Sequence, residues 1–280
     1  MIRDLRYPED ARKLVDSLID GLKYDAAFAA LGNSLKNVPK PRGQPDFSIG
    51  IRFGGEEADV AVRREAPGLC SRFSLISMMS RFERFTQSLL LQRRVLEELK
   101  TEGVKMTGPK MWEILRRIQK DIRSLSSHQV TLQLLVTNPS DELSARTEWL
   151  IGINEVRNCL LHRLGIVQIE DVKKRGSRME DVKDTDTLKV KWLRLKLTVN
   201  GQEIKEFPYQ GKGGGKSPMR VEDQLEEYER EWKIGDVIHI TPLECQAIGM
   251  SLALLGNQVL AEFEDEMNQF LQNHKTSPMV

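Results

Sequence analysis

The sequence predicts a mainly α-helical protein: an antiparallel helical bundle with a β-hairpin inserted before the last helix and a small α/β appendage at the N-terminus. Three observations carry that expectation. Four long stretches place apolar residues three and four apart, the spacing that lines one face of a helix. One stretch between the third and the fourth changes to period two on both sides of Asn200-Gly201, a strong hairpin signal. Ahead of them the pattern is shorter and is broken by VPKPRGQP. The implied division is an appendage over 1–65 and a bundle over 70–275, with a β insertion at about 187–240. At 280 residues, 40% apolar and 30% charged, the chain can build one large core or two modest ones.

Pro8 to about Lys23 reads as an amphipathic helix, with proline in the first turn and Leu14, Val15, Leu18 and Leu22 on one face. A second short helix is expected over 25–36. Phe47, Ile49, Ile51 and Phe53 then alternate, and Val60 and Val62 follow a Gly-Gly pair, which predicts a small hairpin. A long helix should run from Ser71 to about Thr101, with Phe73, Ile76, Met79, Phe82 and Leu89 along its core side and Glu83 among them. Pro109 opens the next, where Met111, Leu115, Ile118, Ile122 and Leu125 recur to about residue 126, with a continuation to 136 in reach. His128 falls at its end, in a loop or capping position.

NPSDE caps a third helix over 140–163, and EDVKKRGSRMEDVKDTDT after it reads as a loop. In the hairpin LKVKWLRLKLTV-NG-QEIKEF the alternation slips at Trp192-Leu193, which predicts a bulge. With that slip Lys189, Lys191, Arg194 and Lys196 share one face, and Val190, Leu193, Leu195 and Leu197 the other. Such cations either guard a sheet edge or grip an RNA backbone. A short strand is expected around 236–240. Thr241-Pro242-Leu243-Glu244 is a capping box that opens the last helix, to about Asn273. Charge is uneven along this half: about +6 over Arg163–Arg220 and about −9 from Val221 onward, which could set a basic surface beside an acidic one.

The third helix carries the chemistry. Trp149, Ile153, Val156 and Leu160 make it apolar, yet Asn154, Asn158 and His162 fall four apart, each about 40° from the last on a helix. Arg157 borders that stripe. An imidazole exchanges protons near neutrality, and a guanidinium is a permanent cation whose planar fork suits phosphate oxygens. Arg157 and His162 are five residues apart, about 140° around a regular helix. They meet at one ligand only if the helix ends or distorts at His162, or if a second copy supplies the partner group.

The run Arg157, Asn158, Cys159, Leu160, Leu161, His162, followed by RLGIV, resembles the motif of the HEPN superfamily. With the flanking helices the resemblance covers roughly 70–273. It implies an antiparallel helical bundle that forms a homodimer, with the motifs of both protomers facing across the interface. It also implies a metal-independent endoribonuclease, in a toxin or antiviral-defence setting with an antitoxin or other regulatory partner protein. Other members have lost activity and serve as RNA-binding, nucleotide-binding or scaffold modules. On this reading His162 is the general acid or base at the ribose 2′-hydroxyl, Arg157 stabilises the charge of the transition state, and Asn158 positions one or the other. Glu83 and Asn154 are candidate supporting residues, and Lys189, Lys191, Arg194 and Lys196 a candidate RNA-binding face.

Other classes fit less well. Cys70, Cys159 and Cys245 are too few and scattered for a disulfide framework or a zinc site, and the four histidines lack metal-ligand spacing. No metal or cofactor is expected. GKGGGKS at 211–217 lacks the glycine a phosphate loop needs, since Gln210 stands in its place, and Pro218 hinders the helix that must follow. No stretch suits a membrane span or a signal peptide, so a cytoplasmic location is expected.

Overall fold

Helices account for most of the residues that this computed structural model describes, which are 7–35, 56–102, 108–134, 141–172, 186–199, 202–203 and 221–275. In chain order they are α1 (Tyr7–Leu35), α2 (Glu56–Glu102), α3 (Gly108–Arg123), α4 (Ser127–Leu134), α5 (Asp141–His162) and the single turn α6 (Ile169–Val172). A sheet of β1 (Thr187–Val199), β2 (Gln202–Glu203) and β3 (Val221–Lys233) follows, and α7 (Pro242–Lys275) ends the described chain. The chain is therefore mainly α, with a small antiparallel sheet before the last helix. By compactness it divides into two units, one of residues 1–22, 78–158 and 252–280, the other of residues 23–77 and 159–251.

In the first unit α2 is the common partner. Gly256 of α7 lets that helix approach closely, because a Cβ there would lie 2.9 Å from Leu18 and 3.5 Å from Phe85. Arg93, 7% exposed, pairs with Glu266 of α7 at 3.1 Å and donates to the Gln133 carbonyl of α4 at 2.6 Å. Arg117 of α3 reaches Glu98 at 2.5 Å. Phe82, Met78, Met79, Leu89 and Leu90 are buried among these helices. Ser126 caps α4: its backbone N–H donates to Gln129 Oε1 at 2.9 Å, and its hydroxyl accepts from the Gln129 N–H at 3.3 Å. α3 thus ends at Arg123, close to the expected 126, and the stretch toward 136 that was in reach of it forms the separate helix α4. His128 lies within α4.

The second unit holds the sheet, in the order β2-β1-β3. β1 pairs β2 through Thr198↔Glu203 and Val199↔Gln202, the register expected for strands flanking Asn200-Gly201. β1 pairs β3 without interruption from Thr187↔Lys233 to Val199↔Val221. The expected bulge at Trp192-Leu193 is absent. Both residues are buried, although they project to opposite faces, and the Leu193 N–H donates to the Ser251 hydroxyl of α7 at 2.8 Å. The apolar phase changes because the strand is covered on both faces there. β3 replaces the short strand expected at 236–240, where only an isolated bridge joins Val237 to Ile166. Its sequence, VEDQLEEYEREWK, lacks an apolar alternation because its carboxylates pair with cations of β1.

The N-terminal expectations need the largest corrections. α1 is one helix where two were expected. Val60 and Val62 lie in α2, so the hairpin proposed there does not form around them; its first arm, Phe47 to Phe53, lies outside the described residues. α2 runs unbroken from Glu56 to Glu102, through Pro67. Gly32 packs so closely that a Cβ would stand 2.8 Å from the Pro67 Cα. Tertiary contact there overrides the local penalty of an interior proline. GKGGGKS at 211–217 also lies outside the described residues.

Thr241 and Glu244 form the expected capping box of α7. The Thr241 N–H donates to Glu244 Oε2 at 2.8 Å, and the Glu244 N–H donates to the Thr241 hydroxyl at 3.2 Å.

Candidate functional site

α5 is helical from Asp141 through His162, so every residue of the polar stripe sits on regular backbone. Its apolar members Ile153, Val156, Cys159 and Leu160 are buried and hold the helix in place. Asn154, Arg157 and Asn158 are half-buried, while His162 is exposed.

In the first unit Glu83 of α2 collects the polar contacts. Its Oε1 accepts from the Ser127 hydroxyl of α4 at 2.6 Å and from Arg157 Nη1 at 3.1 Å. Arg157 Nη1 also donates to Asn154 Oδ1 at 3.3 Å. The two suggested supporting residues, Glu83 and Asn154, therefore do meet Arg157. The grip is incomplete. A carboxylate can take a guanidinium through two parallel bonds, yet here a single nitrogen is engaged. Arg157 Nε is buried without a hydrogen-bond partner among the described residues. About a fifth of the Arg157 side chain remains exposed. Ser127 was not singled out from the sequence.

In the second unit α5 ends just past His162. The N–H groups of Arg163 and Gly165 both donate to the Cys159 carbonyl at 3.0 Å, and Leu164 and Gly165 take φ of 56° and 81°. Arg72 Nη1 donates to the Leu164 carbonyl at 3.4 Å, and the Arg163 guanidinium pairs with Asp171, which caps α6 by accepting from the Gln168 N–H at 2.8 Å. Cys159 is buried beside that pair. Burial first, then the Asp171 charge, pushes its thiol up to about 11, so it is neutral and unreactive at physiological pH. His162 makes no hydrogen bond to another described residue. Leu161, Leu164 and Ile166, close to it in the chain, are exposed, Leu164 at 79%, as is Val237, which bridges Ile166.

Comparison with protein-family models, with curated proteins and with solved structures finds no match to this chain.

The four cations of β1 are arranged differently from expectation. With continuous pairing, Lys189 and Lys191 lie on the Leu193 face, and Arg194 and Lys196 on the face of Val190 and Trp192. The single four-cation face required the bulge. Each cation also has a carboxylate on β3. Lys189 meets Glu231 at 2.8 Å, Lys191 meets Glu227 at 2.8 Å, Lys196 meets Glu226 at 3.6 Å, and Arg194 pairs with Glu226 as well. Hydrogen bonds from Lys189 and Arg194 hold the Glu231 and Glu226 carboxyls below their ordinary range. The basic and acidic stretches of the sequence thus meet within one sheet.

Among the described residues no group of three or more His, Cys, Asp or Glu is placed to hold a metal ion, and no helix is long and apolar enough to cross a membrane.

Proposed function

We propose that the protein is a metal-independent endoribonuclease of HEPN type, an antiparallel helical bundle working as a homodimer. Its catalytic residues are Arg157, Asn158 and His162. The observation that carries the reading is the under-used Arg157 guanidinium, held by Glu83 through one nitrogen while Nε is left unpaired. A cation with that role alone would be expected to saturate its partner, since a buried unmet donor costs about 1–3 kcal/mol.

In the proposed reaction the 2′-hydroxyl oxygen attacks the adjacent phosphorus while His162 takes its proton. The bond from phosphorus to the 5′-oxygen breaks, and that oxygen is protonated by an acid, leaving a 2′,3′-cyclic phosphate. Arg157 neutralises the charge added to the phosphoryl oxygens, and Asn158 orients the group beside it. Because α5 stays helical through His162, the two side chains of one copy leave the axis about 140° apart. The proposed site therefore pairs Arg157 of one copy with the histidine of another. The exposed Leu161, Leu164 and Ile166, within four residues of His162, supply apolar surface for such an encounter. A toxin or antiviral role with a regulatory partner belongs to the same proposal.

The test is purified protein with total RNA, with and without a chelator. Cleavage that survives chelation and leaves cyclic phosphate ends is expected, with loss of at least a hundredfold in His162→Ala. Unchanged cleavage by that variant removes the reading. The runner-up, a non-catalytic RNA- or nucleotide-binding or scaffold module, is favoured by one contact: Glu83 ties α2 to α4 and α5 at once. RNA retained without cleavage would select it.

A further inference from the structure

A groove of about 180 Å³ runs between α2 and α3 in the first unit, away from any residue assigned above. Its floor is Leu91 and the buried Ile122, and its polar rim is Arg84, Gln87, Ser88, Gln119 and Arg123. No carboxylate lines it. Elsewhere in this unit Arg12, Arg93 and Arg117 each have a glutamate partner. Arg84 donates only to its own helix, from Nε to the Ser80 carbonyl at 3.3 Å, and Arg123 has no salt bridge among the described residues. Both side chains are exposed. Arg116 and Lys120, also exposed and without a salt bridge among the described residues, extend the cationic stripe along α3 at helical spacing from Arg123.

We propose that this groove binds the phosphodiester backbone of single-stranded RNA, holding the strand that α5 acts upon; the identity of the polyanion rests on the ribonuclease reading. The chemistry is matched in three ways. Two guanidiniums without acidic partners supply permanent charge and planar forks for phosphate oxygens. The amides of Gln87 and Gln119 and the Ser88 hydroxyl add both donors and acceptors, which suits ribose hydroxyls as well as phosphate. The Leu91 and Ile122 floor gives a sugar or base an apolar surface that a free inorganic anion would not use. The volume is well above the roughly 10–15 Å³ that one water requires, so a phosphate group fits. On this view the sheet cations, already matched by β3, are not the strand's main contact.

The test measures anisotropy of a fluorescein-labelled oligouridylate, with every chain carrying His162→Ala so that binding is read without cutting. Replacing Arg84→Ala and Arg123→Ala together should weaken binding at least tenfold at 50 mM salt, while Arg84→Lys with Arg123→Lys should stay within about threefold of the parent. Two lost phosphate contacts should lower the salt slope by about 1.4, so the loss at 50 mM should exceed that at 200 mM about sevenfold. Should the double alanine variant fail to fold by circular dichroism, Arg123→Glu, on an exposed side chain, gives the same reading. Parental affinity in the alanine pair or in Arg123→Glu overturns the groove, as does a parent that binds no RNA at 50 mM salt. Displacement by inorganic phosphate beyond what sodium chloride of equal ionic strength achieves also overturns it, in favour of a free-anion site. The two proposals fail separately. Groove-dependent binding by a wild-type chain that cuts nothing leaves the groove and removes the nuclease, whereas efficient cleavage with unchanged binding by the Arg84/Arg123 alanine pair does the reverse.

Discussion

Leu164 is a leucine in a backbone conformation that suits glycine. Its φ of 56° costs a side chain with a Cβ roughly 1–2 kcal/mol, and at 79% exposure it recovers little by burial. Leu164→Gly relieves that strain but raises the entropy of the unfolded chain by about 0.5–1 kcal/mol. The net expectation is a gain of up to about 1 kcal/mol, read as a melting midpoint raised by about 2–4 °C. A lower midpoint would show that the Leu164 side chain makes a stabilising contact, as it would in the proposed dimer. At this scale the candidate site was partly legible. Asn154, Arg157, Asn158 and His162 follow from spacing along one helix. Glu83 could be named from the sequence as a supporting residue, but its contact with Arg157, across 74 residues of chain, is made only by the fold.

Helix α1 poses a question that spacing cannot answer: why two glycines, Gly21 and Gly32, interrupt an otherwise good helix. Each costs about 1 kcal/mol relative to alanine on propensity alone. At Gly32 a Cβ would stand 2.8 Å from the Cα of Pro67, which is backbone and cannot swing aside. Gly32→Ala should therefore destabilise, by about 1–3 kcal/mol from forced separation less the propensity gain. Gly256→Ala is the control in α7. The added methyl meets the end of Leu18, a flexible side chain at 2.9 Å, so the change should lie within about 1 kcal/mol of neutral. Denaturant midpoints of the two variants check this; equal effects would refute the close approach of α1 to α2. β3 makes the converse point among strands. Its register is set by charge pairing with β1, which leaves no apolar period to read.

Over the whole molecule, near-neutral charge conceals ionisable groups tuned in opposite directions. Glu226 and Glu231 have folded pKa values below their ordinary 4.5, so their contribution is present above that value and is lost as pH falls through the lowered one. Cys159 and Cys245 are pushed by burial from 9.0 to about 11 and about 12. A folded pKa above the unfolded one stabilises below pH 9 and loses that contribution as pH rises toward 11–12. Lys189 and Lys191, raised by hydrogen bonds to Glu231 and Glu227, act in the same direction above 10.5. Stability measured against pH should therefore be level from about 5 to 9 and fall on both sides. Cys159→Ala with Cys245→Ala should flatten the alkaline limb; an unchanged limb would assign it to the lysines alone.

By itself the sequence determined the local matters: a mainly helical chain, the start of α7 at its capping box, the hairpin register around Asn200-Gly201, and the polar stripe of α5. Each depends on residues within a few positions of one another, where side-chain periodicity and caps decide. Only the tertiary structure decided that α1 is continuous, that α2 passes through Pro67, and that an acidic strand completes the sheet. It also decided that two arginines far apart in the chain share a groove without a carboxylate. These are outcomes of long-range contact, in which packing and paired charge outweigh propensities worth about 1 kcal/mol per residue.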